Sequence, residues 1–201
     1  MRKSLGFTLA EVLITLAIIG VVAAMTIPSV IVNTNQQEFK TGLKKAVSVL
    51  NQAITMNIAL ENVSPADLTV NAYTNENQQN LMGYLAQRLN IIKATTQLDN
   101  GSSSNAAFYT ADGMRFEFPG QQIEGTKKSG CGDGSVQGKE PCLILVDVNG
   151  DKRPNPPAAG GNYVVPDAKG TRINDIFNII VTDSAAIPYG VVAQRTMFQN
   201  D

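Results

Sequence analysis

Residues 1–28 read MRKSLGFTLAEVLITLAIIGVVAAMTIP, a nearly unbroken apolar run that carries one acid, Glu11, four residues after Phe7. From Phe7 to about Val32 the run exceeds the roughly 20 residues a helix needs to cross hydrocarbon, and only Pro28 interrupts its helical chemistry. Arg2 and Lys3 precede it and no basic cluster follows closely, so the positive-inside bias places the N-terminus in the cytoplasm and the body outside. A secretory signal peptide shares the basic start and apolar stretch, and would be cut at a small-residue site such as Ala23-Ala24-Met25. Here the short leader already ends at Gly6, and the helical pattern continues well past the apolar run, so the segment reads as retained.

Glu11 is the odd residue. A carboxylate inside a bilayer costs about 3 kcal/mol, so such an acid is by default functional and needs a partner. The plainer reading puts it at headgroup depth near the helix start, where the macrodipole favours an acid. Charge and position alone leave both readings open.

The rest of the composition narrows the function. A chain of 201 residues that is 43% hydrophobic suits one modest domain plus an appendage, with enough body to bury a core. A net charge of −1 gives no hint of nucleic acid. The absence of His removes the commonest general base and the commonest neutral metal ligand, which argues against catalysis.

Gly6-Phe7-Thr8-Leu9-Ala10-Glu11, behind a short basic leader and ahead of the apolar run, resembles the prepilin signature of type IV pilins and type II secretion pseudopilins. The likeness covers about the first 28 residues, including Pro28, where pilin helices commonly carry a proline. It implies cleavage by a prepilin peptidase between Gly6 and Phe7, N-methylation of Phe7, and pairing of the Glu11 carboxylate with the freed amino group of a neighbouring subunit. A costly lone charge would thereby become a paired register mark in an apolar filament core. The implied partners are further copies of the chain, other pilin-like subunits and an inner-membrane assembly platform. The implied place is the bacterial inner membrane, with the head outside the cytoplasm and a periplasmic or extracellular filament after assembly.

Beyond the membrane run, Phe39, Leu43, Ala46, Val47, Leu50, Ala53, Ile54 and Ile58 recur at helical steps, while Lys40, Lys44, Lys45, Gln52 and Asn57 occupy the other positions. The expected organisation is a leader over 1–6, a membrane and polymerisation helix over 7–32, an amphipathic helix over 33–60 and a head over 61–201. A single helix from Phe7 to Leu60 would be about 80 Å long, more than a membrane requires. Pro28 is expected to kink or loosen the junction.

In the head, ENVSPADLTVNAYTNENQQN (61–80) reads as a loop and a short helix is expected from Gln79 to Ile92. NAAFYTADGMRFEFPG (105–120) reads as a hairpin turning at Ala-Asp-Gly, and PCLILVDVNG (141–150) as a central strand. INDIFNIIVTDSAAIPYGVVAQ (173–194) reads as a final hairpin with its turn near Ala186. The expected fold class is α+β, with the long N-terminal helix packed on an antiparallel sheet of four or five strands.

Cys131 and Cys142 are the only cysteines and fall in the part expected outside the cytoplasm. A bond between them would close a Gly-rich loop, contributing roughly 3 kcal/mol in the chain-entropy model. Two free thiols or half of a zinc site are the competing readings, but no His or third Cys exists to complete zinc, and the spacing is too wide for a CxxC redox motif.

DVNGDKRPN (147–155) places Asp147, Asn149 and Asp151 at alternate positions, as a calcium loop does. Gly150 comes too early for an EF-hand and Ala158 stands where a bidentate Glu is needed, so that motif is rejected. A turn with Asx side chains bonding local backbone is the plain reading. The family resemblance adds calcium, which several major pseudopilins bind in a C-terminal loop; Asp147, Asn149 and Asp151 are then the candidate ligands, with Asn155 and Asp175 behind them.

Ser102 to Ser104 have no His to activate them, and the glycine-rich CGDGSVQG and AAGGN match no phosphate-binding motif. Two functions stand against each other: a structural, non-enzymatic filament subunit, and a single-pass anchored binding module that never polymerises.

Overall fold

The computed structural model describes residues 6–68, 81–95, 106–118, 130–135, 141–150, 152 and 175–198, with the side chains of 29, 32, 33, 95 and 106 left aside. Helix α1 (Leu9–Glu61) is followed by a 3-10 turn (Pro65–Asp67), helix α2 (Leu81–Ala86) and strands β1 (Ile91–Thr95), β2 (Ala106–Thr110) and β3 (Arg115–Phe118). Strands β4 (Cys142–Asp147), β5 (Ile176–Val181) and β6 (Ala186–Tyr189) and helix α3 (Gly190–Phe198) complete the order. The fold is α+β and pilin-like, in two units, Met1–Glu38 and Phe39–Asp201.

In the first unit the described structure is the N-terminal part of α1. Leu9–Pro28 has a mean hydropathy of 2.3 over 20 residues and none of it is buried, so its length and composition suit a membrane span. Pro28 offers no N–H to the carbonyl four residues earlier, yet the helix continues through it. The hydroxyls of Thr15, Thr26 and Thr34 donate to the carbonyls of Val12, Val22 and Val30 at 3.0, 3.0 and 2.8 Å. These polar side chains are thereby satisfied by their own helix.

The second unit is built on the amphipathic stripe. Phe39, Leu43, Ala46, Val47, Leu50, Ala53 and Ile54 are buried, and Ile58 packs at the margin. They share a core with Phe108, Phe116, Ile144, Val146, Phe177, Ile179 and Val181 from one face of the sheet, each burial contributing about 1.5–3 kcal/mol. Phe108 stacks on Phe116 with ring centroids 5.2 Å apart. Asn57 departs from its expected place on the polar face: it is fully buried, because it lies one turn beyond Ala53 and Ile54 on the same stripe. Its amide compensates by donating to the Tyr84 carbonyl at 2.7 Å and accepting from Arg88 Nε at 2.6 Å.

Among the described residues six antiparallel strands lie in sequence order, against an expectation of four or five. The extra strand comes from a helix that stops early: α2 ends at Ala86, and the β-branched pair Ile91-Ile92 enters β1. β1 pairs with β2 through a bulge between Ile91 and Lys93. The expected hairpin turns at Ala111–Met114, where Gly113 at φ 87° donates to the Thr110 carbonyl. β4 is interior and buried on both faces, since Leu145 and Asp147 are covered as well as Ile144 and Val146, which explains its continuous apolar sequence. The last hairpin turns at Thr182–Ala185, and Gly190 at φ 84° then redirects the chain into α3, where the sequence had read on as hairpin.

Candidate assembly and cation sites

Residues 6–8 are not helical, and α1 begins at Leu9 with Thr8 as its cap. The Thr8 amide donates to Glu11 Oε2 at 2.8 Å and the Thr8 hydroxyl donates to the same oxygen at 2.9 Å. In return the Glu11 amide donates to Thr8 Oγ1 at 3.3 Å. This is a capping box, which satisfies backbone donors that a helix start otherwise leaves open. The sequence pattern Thr8-Leu9-Ala10-Glu11 carries that signal, a local role for Glu11 beside the macrodipole, the membrane and the pairing with a neighbouring subunit. Gly6 and Phe7 precede the cap, so the bond between them lies outside the helix, and the Phe7 side chain is 90% exposed.

At one end of the sheet, Asp147 ends β4 opposite Ile176, and the Val148 amide donates to the Asp175 carbonyl at 3.0 Å. This ladder brings Asp147, Asn149 and Asp175 to one end of β4 and β5, while Asp151 and Asn155 lie outside the described residues. Asp147 Oδ1 accepts the Asn149 amide at 3.2 Å, the Asx turn that the spacing allowed. Asp175 is fully buried, and no donor closes a well-formed hydrogen bond to either carboxylate oxygen. Burial pushes its pKa up; the backbone amides of Asp175 and Ile176 and the Asn149 side chain pull it down without cancelling that effect.

A buried carboxylate so placed carries a charge that a bound cation would neutralise. Asp147, Asp175 and Asn149 offer two carboxylates and one amide oxygen, hard ligands of the kind calcium takes. Among the described residues no group of three or more His, Cys, Asp or Glu gathers around one point.

Cys131 and Cys142 are joined by a disulfide with their Cα atoms 5.2 Å apart. Its Cys131 end is docked: the Cys131 amide donates to the Pro65 carbonyl at 2.8 Å. Gly130, at φ 90°, passes so close to the Ala66 carbonyl that a Cβ there would stand 2.1 Å from its oxygen. The bond thus ties β4 to the turn that follows α1, a placement the cysteine spacing alone did not disclose.

Residues 1–27 match the family model described as the prokaryotic N-terminal methylation motif, the signature of type IV pilins and pseudopilins. No curated protein and no solved structure matches the chain.

Proposed function

We propose that the protein is a structural subunit of a type IV pilus or a type II secretion pseudopilus, without enzymatic activity. A prepilin peptidase cleaves it between Gly6 and Phe7 and methylates Phe7, and the processed chain polymerises through α1 with copies of itself and other pilin-like subunits on an inner-membrane platform. Protein secretion, adhesion or motility, and DNA uptake are all within reach of such a filament. The observation that carries this reading is the methylation motif over residues 1–27. Physical support comes from the capping box, which holds the Glu11 carboxylate in the first turn, close in sequence to the Phe7 amine that cleavage would free. An ammonium from a neighbouring subunit would meet a carboxylate already ordered.

The test is the intact mass and N-terminal peptide sequence of the chain co-expressed with a prepilin peptidase. Loss of residues 1–6 with a methylated Phe7 is expected. An intact Met1 start would favour the anchored, non-polymerising binding module.

The head is proposed to bind calcium through Asp147, Asn149 and Asp175, with Asp151 and Asn155 as further ligands. The buried Asp175 carboxylate is the observation that favours it, since a cation would complete the charge compensation that its neighbours supply only in part. Calorimetric titration of the full chain with calcium tests it, and the absence of binding heat would reject it.

A further inference from the structure

The loop that carries Asp147 and Asn149 touches α1. A Cβ built on Gly42 would stand 2.8 Å from the Val148 Cβ, with the two Val148 methyls at 3.2 and 3.4 Å. Only glycine lets the helix backbone approach this side chain so closely. Val148 lies between Asp147, the last residue of β4, and Asn149 in the turn that follows, and its amide donates to the Asp175 carbonyl at 3.0 Å. It cannot move far without moving them.

A second connection runs beside the first. Gly150, at φ 73°, sits against the β2–β3 turn, where a Cβ would stand 2.6 Å from the Gly113 carbonyl oxygen. In that turn Asp112 pairs with Lys45 Nζ at 2.8 Å. Gly42 and Lys45 are three residues apart, neighbours on the surface of one helix. The loop therefore meets α1 directly at Gly42 and, through the turn, at Lys45.

We infer that a divalent cation held by Asp147, Asn149 and Asp175 acts as a latch on α1, an inference that rests on the calcium reading above. Ligation ties the end of β4 to the start of β5, fixing Val148 between them and hence the helix backbone at Gly42. Loss of the cation leaves the buried Asp175 charge uncompensated, and the loop that bears on α1 relaxes. Cation occupancy in the head is thereby felt by the helix that the proposed filament is built from.

The experiment is hydrogen exchange on the full chain in detergent micelles, in calcium chloride and in a chelator, beside calorimetric calcium titration. Calcium is expected to slow exchange at α1 amides over residues 39–50 by about tenfold, together with those of the loop. Val148→Ala is expected to keep the binding heat and the slowing in the loop while losing most of the slowing in α1. If that variant fails to fold, Lys45→Met, which leaves Val148 in place, is expected to lose part of the slowing. No binding heat would overturn the calcium reading itself. Binding heat with α1 exchange unchanged would overturn the latch alone, as would α1 slowing that neither Val148→Ala nor Lys45→Met reduces.

Discussion

Thr8 and Glu11 hold each other at the first turn of α1: one carboxylate oxygen accepts from both the Thr8 amide and the Thr8 hydroxyl, and the hydroxyl accepts from the Glu11 amide. The acid that the apolar run makes costly is thus also part of the helix start. Its shape and its charge can be separated by substitution.

Glu11→Gln keeps an acceptor oxygen for Thr8 and removes the charge, whereas Glu11→Val removes both. Amide exchange in micelles should show the first turn intact in Glu11→Gln and frayed in Glu11→Val and Thr8→Ala, each loss amounting to about 1 kcal/mol. If the charge serves assembly, Glu11→Gln should fail to polymerise although its helix starts normally. Equal fraying in both Glu11 variants would show that the neutral amide cannot stand in for the carboxylate at the cap.

The disulfide joins β4 to the loop docked on Pro65 and Ala66, so its removal should loosen the end of the head near α1 as well as the loop itself. Reduction, or Cys131→Ser with Cys142→Ser, is expected to lower stability to denaturant by about 3 kcal/mol. Parallel urea titrations of oxidised and reduced chain measure it.

Asp112 and Tyr84 each give the head a response to pH. Burial raises the Asp112 pKa, but the hydrogen bonds from Lys45 and Thr110 and the Lys45 charge outweigh it, so the net shift is downward. Its contribution is therefore present above the ordinary value of 3.8 and lost as pH falls through the lower folded value. At the other end, burial first, with the charges of Glu61 and Asp67, lifts Tyr84 to about 12, against the opposing effects of Asn57 and Arg88. The contribution of Tyr84 is complete below its ordinary 10.0 and lost as pH rises from there through about 12. Lys45→Met should remove the net downward shift of Asp112 and with it that contribution to the acid dependence. Tyr84→Phe should flatten the alkaline one, at about 1 kcal/mol for the lost bond to the Val63 carbonyl, 2.9 Å away. Thermal melts across pH read both.

Asp175→Asn replaces a buried charge by a neutral group of nearly the same shape. In chelator the variant should melt no lower than the parent, and calcium should raise the melting temperature of the parent alone. Equal calcium shifts in both chains would remove Asp175 from the ligand set.

Much of this architecture was legible in the residues. The apolar run, the stripe from Phe39 to Ile54, the Ala-Asp-Gly turn and the unbroken Leu-Ile-Val strand each state a local preference that the fold follows. The misses at Asn57 and at β1 share one cause, since each was decided by a partner distant in sequence. Asn57 is polar, and only the carbonyl of Tyr84 and the guanidinium of Arg88 make its burial affordable. Ile91 and Ile92 continue a helical pattern, but β2 offers them a strand. Gly42 looks like a weak point in a helix until Val148 arrives against it. Thr8 is the exception: its box with Glu11 is local and could have been read from the sequence.

The most direct test of the filament reading is electron microscopy of sheared surface and envelope fractions from cells that express the chain with a prepilin peptidase and an assembly platform, beside the Glu11→Gln variant. Filaments labelled by an antibody to the head should appear with the parent chain and be absent with Glu11→Gln, although both are cleaved after Gly6. A parent chain that is cleaved and methylated yet remains entirely monomeric in the membrane, with the platform assembling its other subunits normally, would contradict the account.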